Sequence, residues 1–112
     1  MNDDHIYLAD ILERIERIES YTKGGKATFY TSLLIQDGVI RCFEVMGEAV
    51  KQLSPEIRQK YSEITWRKIA GFRDVLIHNY MGIDLDEVWG VIEKFLPSLK
   101  QEIMNIIKNE NN

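Results

Sequence analysis

Arg73, Asp74, His78 and Tyr80 crowd into one short run, Arg73-Asp74-Val75-Leu76-Ile77-His78-Asn79-Tyr80, and no other stretch of the chain offers as much chemistry. A guanidinium presents a fixed fork of donors that stays charged, which suits phosphate. An imidazole, with an ordinary pKa of ~6.5, moves protons near neutrality. Cleavage of RNA without a metal needs those two capacities. A base takes the proton from a ribose 2′-OH, an acid protonates the leaving 5′-oxygen, and positive charge steadies the phosphorane-like transition state.

Spacing sets the geometry, at about 100° per helical residue. Asp74 and His78 are four apart and share a helix face, so the carboxylate could hold the imidazole in one tautomer. Arg73 and Tyr80, seven apart, also share a face. Arg73 and His78 are five apart, about 140° around an ideal helix. They converge only if the helix loosens near His78 or a second chain contributes. The chain has just one other histidine, His5, at its start. A two-fold dimer would bring two copies of Arg73 and His78 together and let acid and base come from different subunits. Cations near a helix C-terminus are also favoured electrostatically, so the run by itself leaves open both a site and an ordinary helix end.

The elements that must position these residues are helical throughout. Leu8, Ile11, Leu12, Ile15 and Ile18 form one apolar stripe at helical spacing, and Gly24-Gly25 interrupts after it. Val39, Phe43, Met46, Val50 and Leu53 form a second, on a long helix expected to begin near Ala27. Ser54-Pro55 predicts a helix stop and a new N-terminus, with serine as the cap and proline in the first turn. Thr65 is a candidate cap for a helix from Trp66 to about Tyr80, and Gly82 is placed to end it. Asp84, with Glu87 three residues on, resembles a capping box. The last stripe runs through Leu85, Val88, Trp89, Ile92, Phe95, Leu96, Leu99, Ile103 and Ile106, with Pro97 expected to kink or divide it. Trp66 and Gly71 are expected to serve packing, the glycine by letting another helix or chain approach. Short connections favour antiparallel neighbours, so the predicted fold is all-α: an up-and-down bundle of four or five helices forming one domain over 1–112.

Composition narrows the rest. At 112 residues and 45% hydrophobic, the chain holds one core and no second catalytic domain. Cys42 is its only cysteine, so neither an intrachain disulfide nor a cysteine-based zinc cluster can form. The acidic start, Met1-Asn2-Asp3-Asp4-His5, does not resemble a signal peptide, and no apolar run reaches the roughly 18–20 residues that span a bilayer. A cytoplasmic protein without a membrane segment is expected. The net charge of −4 argues against a nucleic-acid partner, but Lys51 to Arg73 holds six basic residues against two acidic ones, a local excess of four. That excess is either a phosphate-attracting face or a set of solvated helix surfaces.

Arg-x-x-x-x-His-x-Tyr, late in a small helical bundle, resembles the HEPN superfamily, and within it the HepT-like toxins of HepT–MntA pairs. The resemblance extends over nearly the whole chain. It is carried by Asp10–Ile15, Val39–Ala49, Leu53-Ser54-Pro55-Glu56, Trp66–Asp74, His78-Asn79-Tyr80 and Gly82-Ile83-Asp84. Thr65 departs from it, standing where the family often has proline. The resemblance implies a dimer whose arginine–histidine motifs meet at the interface, and metal-independent ribonuclease activity with no cofactor. Arg73 would stabilise the scissile phosphate, His78 would transfer protons, and Asp74 would orient His78 or the RNA. It further implies a type VII toxin–antitoxin system. The partner would be a minimal nucleotidyltransferase antitoxin that transfers AMP from ATP to Tyr80, adding bulk and negative charge at the mouth of a phosphate site. An alternative from another class is a non-catalytic helical module that partners a nucleotidyltransferase.

Overall fold

The computed structural model describes residues 3–78 and 82–111, with Ile77 and His78 by backbone alone. Helix α1 (Asp4–Tyr21) is followed by short α2 (Lys26–Thr31), long α3 (Leu33–Gln52), short α4 (Pro55–Lys60) and α5 (Trp66–His78). Then α6 (Leu85–Gly90), a π-helical turn (Val91–Phe95) and α7 (Leu96–Glu110) run on without a break. Every element among the described residues is helical, as the stripes predict. Four long helical runs form the bundle, with α2 and α4 as short connectors.

Helix α3 is central, packed against α1 on one side and α5 on the other, while α7 covers α1. The neighbours of α1 run antiparallel to it. Ser54, just past the end of α3, donates from its backbone N–H and hydroxyl to Asp4 at the start of α1, at 2.8 and 2.6 Å. Lys100 near the start of α7 reaches Glu19 near the end of α1, at 2.8 Å. The predicted stripes are the core: Leu8, Ile11, Ile15 and Ile18 meet Val39, Phe43, Met46 and Val50, and Leu96, Leu99, Ile103 and Ile106 close it. Cys42 lies among them as a free, buried thiol whose pKa burial pushes up.

The helix ends follow local chemistry. The Ser54 hydroxyl accepts from Ile57 N–H at 3.3 Å with Pro55 in the first turn, as expected. Asp84 caps α6 by accepting from Asp86 and Glu87 N–H. Gly82 has φ +131°, a backbone that side-chain-bearing residues avoid. The helix expected in one piece from near Ala27 is instead split at Ser32, whose backbone is extended and whose hydroxyl accepts from Ile35 N–H at 3.2 Å. Serine competes with helical backbone bonds in this way, and the Gln36 amide covers the freed Phe29 and Tyr30 carbonyls. Pro97, expected to kink or divide the last helix, follows a change of helical pitch within one continuous run. It brings no N–H of its own to the ladder. Just before it the chain widens into the π turn, and Leu96 N–H donates to Val91 five residues back.

Candidate active site on helix α5

Helix α5 begins at Trp66, which is buried and donates its indole N–H to the Tyr61 carbonyl at 3.1 Å. The Thr65 carbonyl accepts from Lys68 and Ile69. These anchors fix the rotation of α5 and, seven residues past Trp66, the placement of Arg73.

Arg73 leans across α3 at Gly47. A Cβ on Gly47 would stand 2.3 Å from Arg73 Cβ and 3.0 Å from its Cγ, with the Ile69 carbonyl at 3.3 Å. Only a residue without a side chain leaves room for the arginine stem there. Gly71, expected to permit a close approach, has no atom within 4 Å of such a Cβ. Within this chain the close approach belongs to Gly47. The two glycines sit on differently facing helix surfaces, and only that of Gly47 points into the α3–α5 seam.

Past this contact the guanidinium emerges, with about a quarter of the side chain exposed (27%). Its Nη1 donates to Asp74 Oδ1 at 2.9 Å, and Nη2 lies 3.4 Å from Glu48 Oε2. Lys51 Nζ donates to the same Asp74 oxygen at 3.0 Å. Asp74 therefore sits between two cations. The Lys51 hydrogen bond, with Arg73 second, holds its carboxyl below the usual carboxylate range, so it is ionised at neutral pH. Exposed pairs of this kind add little stability. Their effect is to hold the guanidinium in one orientation at the edge of a groove of about 240 Å³ lined by Tyr7, Asp10, Arg41, Glu44 and Glu48.

Of the residues singled out in the sequence, the structure brings Arg73 and Asp74 together. The backbone of α5 stays α-helical through His78, so no unwinding undoes the five-residue step between Arg73 and His78. The His78 side chain and Tyr80 lie outside the described residues. Sequence reasoning missed Glu48, Lys51 and Gly47. They lie on α3, more than twenty residues upstream of Arg73. One available signal was that Gly47 stands four residues after Phe43 and three before Val50, on the buried stripe of α3.

A four-run helical bundle with a braced, solvent-reaching arginine on its third long helix defines a small all-α protein with a candidate anion-handling face. The chain belongs to the HepT-like family: the family model described as ribonuclease HepT-like matches residues 11–106. A relative from Methanocaldococcus jannaschii, named as a gamma-glutamylcyclotransferase and candidate RNase, is 49% identical over 98% of this chain. The chain spans about half the length of that relative, 52%. A second, named "Probable ribonuclease HepT" from Thermococcus cleftensis, is 38% identical over 91% of this chain and 94% of its own length. Among solved structures, a tri-AMPylated HEPN toxin of Shewanella oneidensis in complex with an MNT antitoxin superposes with a TM-score of 0.69 at 25% identity, covering 97% of this chain and 99% of that one. Among the described residues no helix is long and apolar enough to cross a membrane.

Proposed function

We propose that this chain is the toxin of a type VII toxin–antitoxin pair and a metal-independent endoribonuclease acting through Arg73 and His78. The observation that carries the reading is Arg73 itself: its stem is locked on Gly47 and its guanidinium is held by Asp74 and Glu48 where a phosphodiester can reach it. Membership of the HepT-like family adds the reaction class. A ribose 2′-oxygen attacks the adjacent phosphorus, the bond to the 5′-oxygen breaks, and the products are a 2′,3′-cyclic phosphate and a 5′-hydroxyl. Arg73 stabilises the charge on phosphorus. His78 takes the 2′-OH proton, and His78 of a second copy returns one to the leaving oxygen. An α5 that stays helical through His78 favours this two-copy arrangement over convergence within one chain.

Control of the toxin would come from a minimal nucleotidyltransferase, in line with the AMPylated, antitoxin-bound neighbour. The Tyr80 hydroxyl attacks the α-phosphorus of ATP, pyrophosphate leaves, and the tyrosine carries AMP. The added phosphate repels RNA from the site. A second reading, a non-catalytic module that partners the nucleotidyltransferase, is favoured by the carboxylates of Asp10, Glu44 and Glu48 around Arg73.

RNA incubated with the purified protein in EDTA decides between them. The nuclease reading expects 2′,3′-cyclic ends from wild type and none from His78→Ala. Equal cutting by both, or none by either, removes it. Intact mass after incubation with the nucleotidyltransferase and ATP tests the modification, with AMP gained by wild type and not by Tyr80→Phe.

A further inference from the structure

The six basic residues between Lys51 and Arg73 do not form one face. Lys51 is bound to Asp74, Lys60 to Glu110, and Arg73 to Asp74 and Glu48. Among the described residues Arg58, Arg67 and Lys68 take part in no ion pair, and these three line one open groove of about 750 Å³ where α4 meets the start of α5. No carboxylate lines that groove; Gln59, Ser62 and Thr65 add neutral polar groups.

Two further features mark the groove as short of an anion. The Arg58 Nε is enclosed and has no hydrogen-bond partner among the described residues. A buried donor left in that state costs free energy that an incoming acceptor returns. Arg67 and Lys68 lie in the first turn of α5, which has no acidic residue. Cations are disfavoured at a helix N-terminus, where the backbone dipole is already positive. An anion settling among them would relieve both the dipole and their mutual repulsion.

The surroundings of Arg73 have the opposite balance. Arg41, Lys51 and Arg73 stand against Asp10, Glu44, Glu48 and Asp74. A site built to stabilise one phosphate is thus a poor place to gather a polyanion, and the attraction has to come from elsewhere. Arg67 precedes Arg73 by six residues, about 9 Å along the helix axis and about 120° around it, a path that a flexible single strand can follow. We propose that the groove of Arg58, Arg67 and Lys68 binds the sugar–phosphate backbone of a single-stranded RNA, at a segment flanking the one presented to Arg73. The proposal rests on the ribonuclease reading for the identity of the polyanion.

Binding of a labelled single-stranded RNA oligonucleotide, measured against salt in a His78→Ala background that prevents cutting, tests it. Each neutralised phosphate contributes about 0.7 to the slope of log affinity against log salt for single strands, so losing three contacts should lower the slope by about 2 and weaken binding about tenfold or more. That is the result expected for the added triple substitution R58Q/R67Q/K68Q. The charge-preserving R58K/R67K/K68R should keep the slope. So should K23Q/K94Q/K108Q, which removes three exposed lysines elsewhere and controls for net charge. Thermal melts by circular dichroism establish that each variant is folded.

A groove variant whose slope matches the K23Q/K94Q/K108Q control overturns the proposal. So does an unchanged slope combined with lost binding to the nucleotidyltransferase, which would give the groove to a protein. The two readings fail separately. Wild-type cleavage with a groove-independent slope removes only the groove, while groove-dependent binding without any cleavage by wild type removes only the nuclease.

Discussion

The two seams that α3 makes with its neighbours are built on opposite principles. Against α1 it presents Val39, Phe43, Met46 and Val50 to Leu8, Ile11, Ile15 and Ile18, all apolar side chains. Against α5 the seam starts in the same way, with Phe43 edge-on to Phe72 at 5.2 Å, then tightens at Gly47 and opens into Arg73, Glu48, Lys51 and Asp74. The first seam supplies stability. The second uses close packing to aim one side chain at solvent. Stability and chemistry should therefore separate on mutation, with α3 serving both through different faces.

Breaking the first seam should give the largest loss of stability. Ile15 is fully buried, and Ile15→Ala is expected to cost about 2–5 kcal/mol, from lost burial and the cavity left behind. Denaturant unfolding measures this directly. RNA cleavage per folded molecule should stay at the wild-type level, and a matching loss of turnover would show that the seams are not separable.

Gly47→Ala acts at the junction. Alanine improves helix propensity by about 1 kcal/mol, but its methyl group would collide with the Arg73 stem rather than with a flexible tip. Overpacking of this kind costs typically 1–3 kcal/mol. The expected net is a small change in unfolding free energy with at least a tenfold loss of cleavage, because the guanidinium must move. A 1 Å displacement of a positioned group can cost about a hundredfold. Wild-type cleavage by Gly47→Ala would show that the arginine does not need this seat.

The smallest effect belongs to Glu48→Gln. Glu48 holds the Arg73 guanidinium through an exposed contact, worth at most about 1 kcal/mol, and on the proposed reading it would compete there with phosphate. Its neutralisation should tighten RNA binding a few-fold with no measurable change in melting temperature. Weaker binding would instead assign Glu48 a part in holding RNA.

The apolar seam could be read almost entirely from the sequence, because burial of one helix face leaves a period in the residues themselves. Leu8, Ile11, Ile15 and Ile18 announce it without any knowledge of their partners. The caps at Ser54 and Asp84 were legible for a similar reason, being local. The break at Ser32 was not, since one hydroxyl decides it against a run of helix-compatible residues. At the candidate site, residue type and spacing singled out Arg73 and Asp74 but paired the carboxylate with His78, whereas among the described residues it is held by Arg73 and Lys51. Their partners were not legible: Glu48 and Lys51 come from another helix, and the choice of Gly47 over Gly71 as the point of close approach depends on how two helices are rotated against each other. The basic stretch left two readings open for the same reason, because which cations remain unpaired is settled only by the carboxylates that fold back onto them.

The most direct test is single-turnover cleavage of one labelled RNA, in EDTA, by wild type and by Arg73→Met. Methionine keeps an unbranched stem against Gly47 and removes only the charged fork. The expected result is a loss of about 10²–10³ in rate with unfolding free energy within about 1 kcal/mol of wild type. Cleavage by Arg73→Met at the wild-type rate would move the chemistry away from this face of α5.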